Sequence, residues 1–465
     1  MRTNDKYRIG EEKMVENNLE KDSIRKLVLR LGIPSMLAQF INVLYSVVDR
    51  MYIGNIEQIG EIALAGVGIC GPIVALLSAF GSFVGVGGSP LMSIRMGEKD
   101  EKSAKQILAN SFLLLLVVSV ALTILLLPLK EHLLLWFGAS EQSFPYANDY
   151  FTIYLLGTVF ALMSIGMNQF IICQGYAKVG MLSVMIGAAM NIVLDPIFIF
   201  VFGMGVKGAA IATVISQMVS CGFVLKFLFG KKVPISISFG GYSLGIMRKI
   251  SFLGLTPFII IVMDNVLLIA LNTVLQKYGG PDRGDMLITC ATIVQSFMLM
   301  VTMPLGGITA GTQTILGYNY GARKSDRVLE AEKWIVILCL IFTTVMFIIA
   351  QNFAKPFVGI FTQNETYIQF ATRAIRIYTL GIIPLAIQYT FVDGFTGMGI
   401  AKMALPLSTF RKIVYLGAVF LLPLIYEIDQ VFLAEPVADV VSAVVTGICY
   451  FAMIKKILHK RESGN

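Results

Sequence analysis

Apolar runs of about twenty residues recur along the whole chain, and that recurrence limits what the chain can fold into. A helix needs about 20 apolar residues to cross the hydrocarbon core of a bilayer. Twelve such spans can be marked, near 27–51, 61–84, 107–129, 148–172, 182–203, 207–229, 250–275, 287–310, 333–352, 370–394, 405–426 and 434–457. Hydrophobic residues make up 56% of the 465 residues and charged ones 14%, with a mean hydropathy of +0.77. That leaves too little polar surface for a soluble protein of this length. The chain reads as an all-α polytopic membrane protein.

Several function classes drop out at this stage. The net charge of +8 comes from short loops between apolar runs, with no basic stripe beside aromatic residues, so nucleic acid is not the partner. The six cysteines (Cys70, Cys173, Cys221, Cys290, Cys339 and Cys449) lie in or near apolar runs without metal spacing, and read as small hydrophobes. The glycine stretch "GSFVGVGGSP" has no GK[ST] ending and sits at the end of a span. It reads as close helix packing rather than a phosphate loop, as does "GGITAGTQTILGYNYGA". Residues 1 to about 24 are polar and mixed in charge, so no signal peptide is read there, and the first span is expected to direct insertion.

Lysine and arginine set the expected orientation. They gather in the N-terminal tail (Arg2, Lys6, Arg8, Lys13, Lys21, Arg25, Lys26) and after span 2 (Arg95, Lys99, Lys102, Lys105). They gather again after span 6 (Lys231, Lys232, Arg248, Lys249), after span 8 (Arg323, Lys324, Arg327) and at the C-terminus. The alternate loops are poor in both, apart from Lys277 and Arg283 after span 7. Both termini are therefore expected to be cytoplasmic.

The chain also repeats itself. Gly87 and Gly311 lie in similar stretches 224 positions apart, and the same offset places Gly97 on Gly321, Phe137 on Phe361 and Glu141 on Glu365. It also places "IYLLG" (153–157) on "IYTLG" (377–381) and "GYAK" (175–178) on "GIAK" (399–402). An offset of six spans predicts two parallel, pseudo-symmetric six-helix lobes related by an axis along the membrane normal. The expected division is a tail (1–26), an N-lobe (27–229), a linker (230–249), a C-lobe (250–457) and a second tail (458–465). Two bundles facing a central cavity suit alternating access.

A charged side chain at mid-bilayer costs about 2.5–3.5 kcal/mol or more, so such residues face a bundle interior or a wet cavity. The candidates are Asp49, Asp195, Asp264 and Asp393. Asn191 and Asp195 are four apart and share one helix face. Pro196 denies the Ile192 carbonyl its usual donor. Carboxylate, amide and freed carbonyl together suit a proton or a sodium ion. Asp393 lies near the inner end of its span, where water could reach it. Glu435 and Asp439, at the start of span 12, read as interfacial, and Arg373, Arg376, Arg411 and Lys412 as lying toward span ends.

"LYSVVDRMYIGN", "GVGGSPLMSIRMGEKDEKSAK", "GYAKVGM", "NIVLDPIFIFVFGMGVKGAAIAT", "PLGGITAGTQTILGYNYGA" and "AEPVADVVSA" together resemble the multidrug and toxic compound extrusion (MATE) family, in its bacterial multidrug-exporter branch. The resemblance covers nearly the whole chain. It implies a twelve-helix, two-lobe antiporter that expels amphipathic, often cationic compounds in exchange for H⁺ or Na⁺. The family's ion-site residues fall on Asp49, Asn191, Asp195 and Thr213, with Na⁺ as one occupant of the first three. A second acidic position falls on Asp264. Its span 10 partner has no clear match: Gln388 lies near that place, and Asp393 is displaced by about one and a half turns. Pro34 and Pro196 are the candidate hinges. Implied partners are drugs or small organic cations, H⁺ or Na⁺, and membrane lipids, with no cofactor. A monomer in the plasma (inner) membrane is expected.

Two other readings remain open at this point. A lipid-linked precursor flippase of the same superfamily needs a cationic cavity, whereas carboxylates dominate these spans. A channel or membrane sensor needs a pore signature, and none is visible. A membrane enzyme finds no nucleophile–base or metal constellation. The repeat mate of Asp195 is Val419, so the main coupling site is expected in the N-lobe alone.

Overall fold

A computed structural model describes residues 18–57, 59–230 and 233–463. The basic residues Arg2, Lys6, Arg8, Lys13, Lys231 and Lys232 of the orientation argument lie outside them. The described chain is built of helices and turns, with twelve helices long and apolar enough to cross a membrane. They are α1 (Ile24–Gly54), α2 (Gly60–Gly97), α3 (Glu101–Trp136), α4 (Phe144–Ile172), α5 (Ala177–Val201) and α6 (Gly205–Leu228). The second half supplies α7 (Leu244–Gly280), α8 (Met286–Gly321), α9 (Ser325–Gly359), α10 (Glu365–Gly397), α11 (Ala401–Ile425) and α12 (Ala434–Glu462).

The helices outrun the apolar windows that announced them. An apolar window measures the hydrocarbon thickness, but a helix continues beyond it wherever its backbone stays paired. The polar connection expected over 94–106 is a turn at 98–100. There the Asp100 side chain accepts from the Ser103 amide at 3.0 Å and caps α3. The connection expected over 276–286 is mostly helical too, broken at Gly280 by a φ of 67°. Helix α7 starts at Leu244, inside the expected linker, and α9 starts at Ser325, eight residues before the window that predicted it.

The repeat is written in the backbone. Lys99 (φ 61°) and Arg323 (φ 58°) are the non-glycine residues with left-handed φ among those described, and they are 224 positions apart. Each belongs to the same helix-ending turn: the Asp100 amide reaches the Arg95 carbonyl at 2.9 Å, and the Lys324 amide reaches Asn319 at 2.9 Å. Gly175 (φ 91°) and Gly399 (φ 74°) form a second matched pair.

The same register governs how the lobes meet. A β-carbon on Gly97 would stand 1.9 Å from the Tyr318 carbonyl oxygen of α8, and one on Gly321 would stand 2.1 Å from that of Ile94 on α2. Gly87 abuts Ile250 and Gly254 of α7, while its mate Gly311 abuts Ser35 of α1. The contacts exchange partners as a two-fold axis demands. Among the described residues, the glycines that touch the opposite lobe lie toward the ends of α1, α2, α7 and α8 that carry the basic loops, with Gly399 in the turn after α10 joining them.

Ion pairs reinforce that face. Arg461 of α12 pairs with Glu98 after α2 and stacks over Tyr320. Glu20 meets Lys324 at 3.3 Å and Lys99 at 3.8 Å. The Lys324 hydrogen bond, then the Lys99 charge, hold its carboxyl below the usual range. The outer surface is apolar, with Trp136, Val201 and Phe451 more than 70% exposed, as a lipid-facing belt requires.

Candidate functional site

Helix α5 sets up the first site. Asn191 and Asp195 stand on one face, 1% and 0% exposed. Pro196 ends the α-helical hydrogen bonding, and Ile197–Val201 form a π-helical turn. In it the Phe202 amide reaches back five residues to the Ile197 carbonyl at 2.9 Å. Helix α6 seats against this widened turn through Gly208, where a β-carbon would come within 2.7 Å of the Phe198 carbonyl. That contact brings Thr213 alongside Asn191.

The Asn191 amide donates to Asp195 Oδ1 at 3.0 Å and more weakly to Thr213 Oγ1 at 3.4 Å. Helix α1 crosses α5 and carries the Asp49 carboxyl within hydrogen-bonding reach of the Asp195 carboxyl. Asp49 Oδ1, Asn191 Oδ1 and Asp195 Oδ2 are buried without a partner among the described residues. Buried oxygens are rarely left so. Three unpaired oxygens from three side chains, with a hydroxyl beside them, fit a proton or a small hard cation. Tyr154 of α4 is 3% exposed, and its hydroxyl accepts from Gln217 of α6 at 3.5 Å.

The second predicted set is divided by the structure. Asp264, whose side chain is 53% exposed, pairs with Lys412 of α11. Asp393 accepts from the Thr309 hydroxyl of α8. Gln388 is buried on α10 with no hydrogen bond to either acid among the described residues. So Asp264, Gln388 and Asp393 are not one cluster, and Asp393 is partly buried, held by Thr309. Pro34 sits buried within an unbroken α1, next to the Ser35 that meets α8.

Two other expectations are corrected. Arg411 and Lys412 do not lie toward the end of α11. They are mid-helix and buried, at 5% and 6% exposure. Glu435 and Asp439 are not interfacial: Arg411 pairs with both. Tyr378 donates to Glu435 at 3.2 Å, meets the Tyr415 hydroxyl at 3.2 Å, and accepts from Gln295 at 2.9 Å. The windows misplaced these residues because α11 and α12 pair their charges internally, which lets ionised groups sit deep. Glu332 was missed altogether. It fell one residue before the ninth apolar window, yet it shares a helical face with Val328, Ile335 and Cys339, all buried.

Two repeated six-helix units, with paired acids inside the bundles, define a duplicated integral membrane protein of the transporter kind. The MatE family model matches residues 34–197 and 259–421, and its second match begins 225 and ends 224 residues after the first. The chain belongs to the MATE family, whose members are transporters and not enzymes. Its relatives include the multidrug export protein MepA of Staphylococcus haemolyticus, 22% identical over 96% of this chain and 97% of that one. MepA of Staphylococcus aureus strain MRSA252 is 21% identical over 91% and 93%. Among solved structures, an outward-facing multidrug resistance MATE transporter superposes with a TM-score of 0.89 at 24% identity, over 95% of this chain and 98% of that one.

Proposed function

We propose that this transporter is a secondary antiporter that exports amphipathic, often cationic organic compounds in exchange for H⁺ or Na⁺. One observation carries the coupling: Asp49 and Asp195 face each other beside Asn191 and Thr213, with buried oxygens unpaired. Two carboxylates this close repel unless a proton or cation joins them. Loading and unloading that charge alters the α1–α5 contact, which biases one lobe arrangement over another. Export also needs ion and substrate to disfavour each other's binding. Helix α1, with Pro34 near the contact between lobes, and the widened turn after Pro196 are the segments in this reading that adjust.

The relatives' names as multidrug exporters support the substrate class. The C-lobe charges support it too. Arg411 and Lys412 are both neutralised, and Asp264, Glu435 and Asp439 outnumber them. No free cationic pocket for a pyrophosphate is left among these residues, which argues against the flippase. The closed face, with its basic loops, is cytoplasmic in this reading, so the lobes open outward from a monomer in the plasma membrane. Reconstituted protein should accumulate ethidium against its gradient when a proton or sodium gradient is imposed. Ion conductance with no coupled dye movement would instead identify a channel.

A further inference from the structure

The N-lobe site leaves one buried acid without a task. Glu332 of α9 is 3% exposed, and neither carboxylate oxygen has a hydrogen-bond partner among the described residues. It lies against the α10 backbone: a β-carbon on Gly394 would stand 2.4 Å from Glu332 Oε1. The absence of a side chain at Gly394 leaves room for the carboxylate against the α10 backbone.

The residue before Gly394 on α10 is Asp393, the acid whose charge acts on Glu332. Thr309 of α8 donates to Asp393. The other titratable groups around the two acids are Cys339 on α9, Tyr389 on α10 and Tyr450 on α12. No lysine or arginine forms an ion pair with either acid among the described residues, in contrast to Asp264, Glu435 and Asp439. The repeat mates of Glu332 and Asp393 are Leu108 and Gln169. The acids therefore belong to the C-lobe alone and are not inherited from the duplication.

We infer that Glu332 and Asp393 form a second proton-binding site, at the basic-loop end of the C-lobe, in which one proton is held by the pair. With Glu332 buried, Asp393 partly buried beside it and no basic partner for either among the described residues, the two acids do not both keep their charge. Few oxygen donors surround it, and no three acidic, His or Cys groups converge here to cage a metal among the described residues. The pair lies one turn from Gly397, where α10 packs on Gln313 of α8. Its protonation thus adjusts the α8–α9–α10 contact beside the closed face. This inference does not depend on which compound is exported.

The test is a pH titration of the full-length protein in lipid, read by the infrared carbonyl stretch of protonated carboxyl groups. At neutral pH, Glu332→Gln should remove one such band, separate from the band lost in Asp195→Asn. Thr309→Val keeps both acids and should shift the midpoint of the Glu332–Asp393 band, which guards against a Glu332 variant that fails to fold. An unchanged spectrum in Glu332→Gln, or an unmoved midpoint in Thr309→Val, overturns the proposal. So does loss of the band at fixed pH when sodium chloride replaces choline chloride, since the pair would then hold Na⁺. Because the readout is not transport, failure here leaves the antiport reading standing, and failure of antiport leaves this one standing.

Discussion

Asp49 on α1 and Asp195 on α5 bring their carboxyls together within hydrogen-bonding reach, and neither forms an ion pair among the described residues. Among the described residues the Asn191 amide donates to the pair, holding Asp195 Oδ1 and leaving Oδ2 unpaired. That arrangement separates this pair from the C-lobe acids Asp264, Glu435 and Asp439, which arginine and lysine already neutralise.

Thr213 contributes through a long hydrogen bond from Asn191. Removing it with Thr213→Val should weaken coupling-ion affinity by about three- to fivefold, the effect of about 0.6–1 kcal/mol. The ion concentration giving half-maximal dye uptake reads this directly. Folding should be unaffected, because valine fills the same space.

The α2–α8 crossing should be intolerant of side chains. Gly97→Val places carbons where the Tyr318 carbonyl oxygen stands, so the lobes cannot close on the basic-loop face. A cysteine at Ser93, fully buried here, should then react with an impermeant maleimide from that face. The same cysteine with Gly97 intact should stay protected, in both cases without the native cysteines.

Arg411 neutralises two buried acids at once. Arg411→Met strands Glu435 and Asp439, at a cost of about 3–5 kcal/mol. Thermal unfolding in detergent should show a lower midpoint. Adding Glu435→Gln and Asp439→Asn should recover much of the loss, because the stranded charges, not the missing contacts, dominate it.

Glu20 ties the N-terminal segment to both lobes through Lys324 and Lys99. Its carboxyl is held below the ordinary range, so its contribution is present above that range and lost as pH falls through the lowered value. Amide exchange at residues 18–22 should quicken on acidification, and Glu20→Gln should show the quick exchange at neutral pH.

Much of this was legible in the sequence. The 224-residue offset returns in the backbone: the matched Gly175 and Gly399 share a left-handed φ, and so do Lys99 and Arg323, a pair the sequence matches did not include. The spacing of Asn191 and Asp195 placed them on one face, and the structure adds the π-helical turn that draws Thr213 to them. The C-lobe acids were read poorly because an apolar window treats a charge as a boundary. Arg411 and Asp439 fell inside their windows, but a window does not show that charges on two helices pair with each other. Glu332 shows the remedy: the helical period running from Val328 through Ile335 carries it into the core.

The account rests most heavily on Asp195. Full-length protein and Asp195→Asn should be reconstituted in matched vesicles, with proton and sodium gradients imposed separately while ethidium and ion movement are followed together. The account predicts that dye moves with one imposed gradient and drives counter-movement of the same ion. In Asp195→Asn both should fall to the level of empty vesicles. Gradient-driven ethidium transport by Asp195→Asn at the unaltered rate would contradict it.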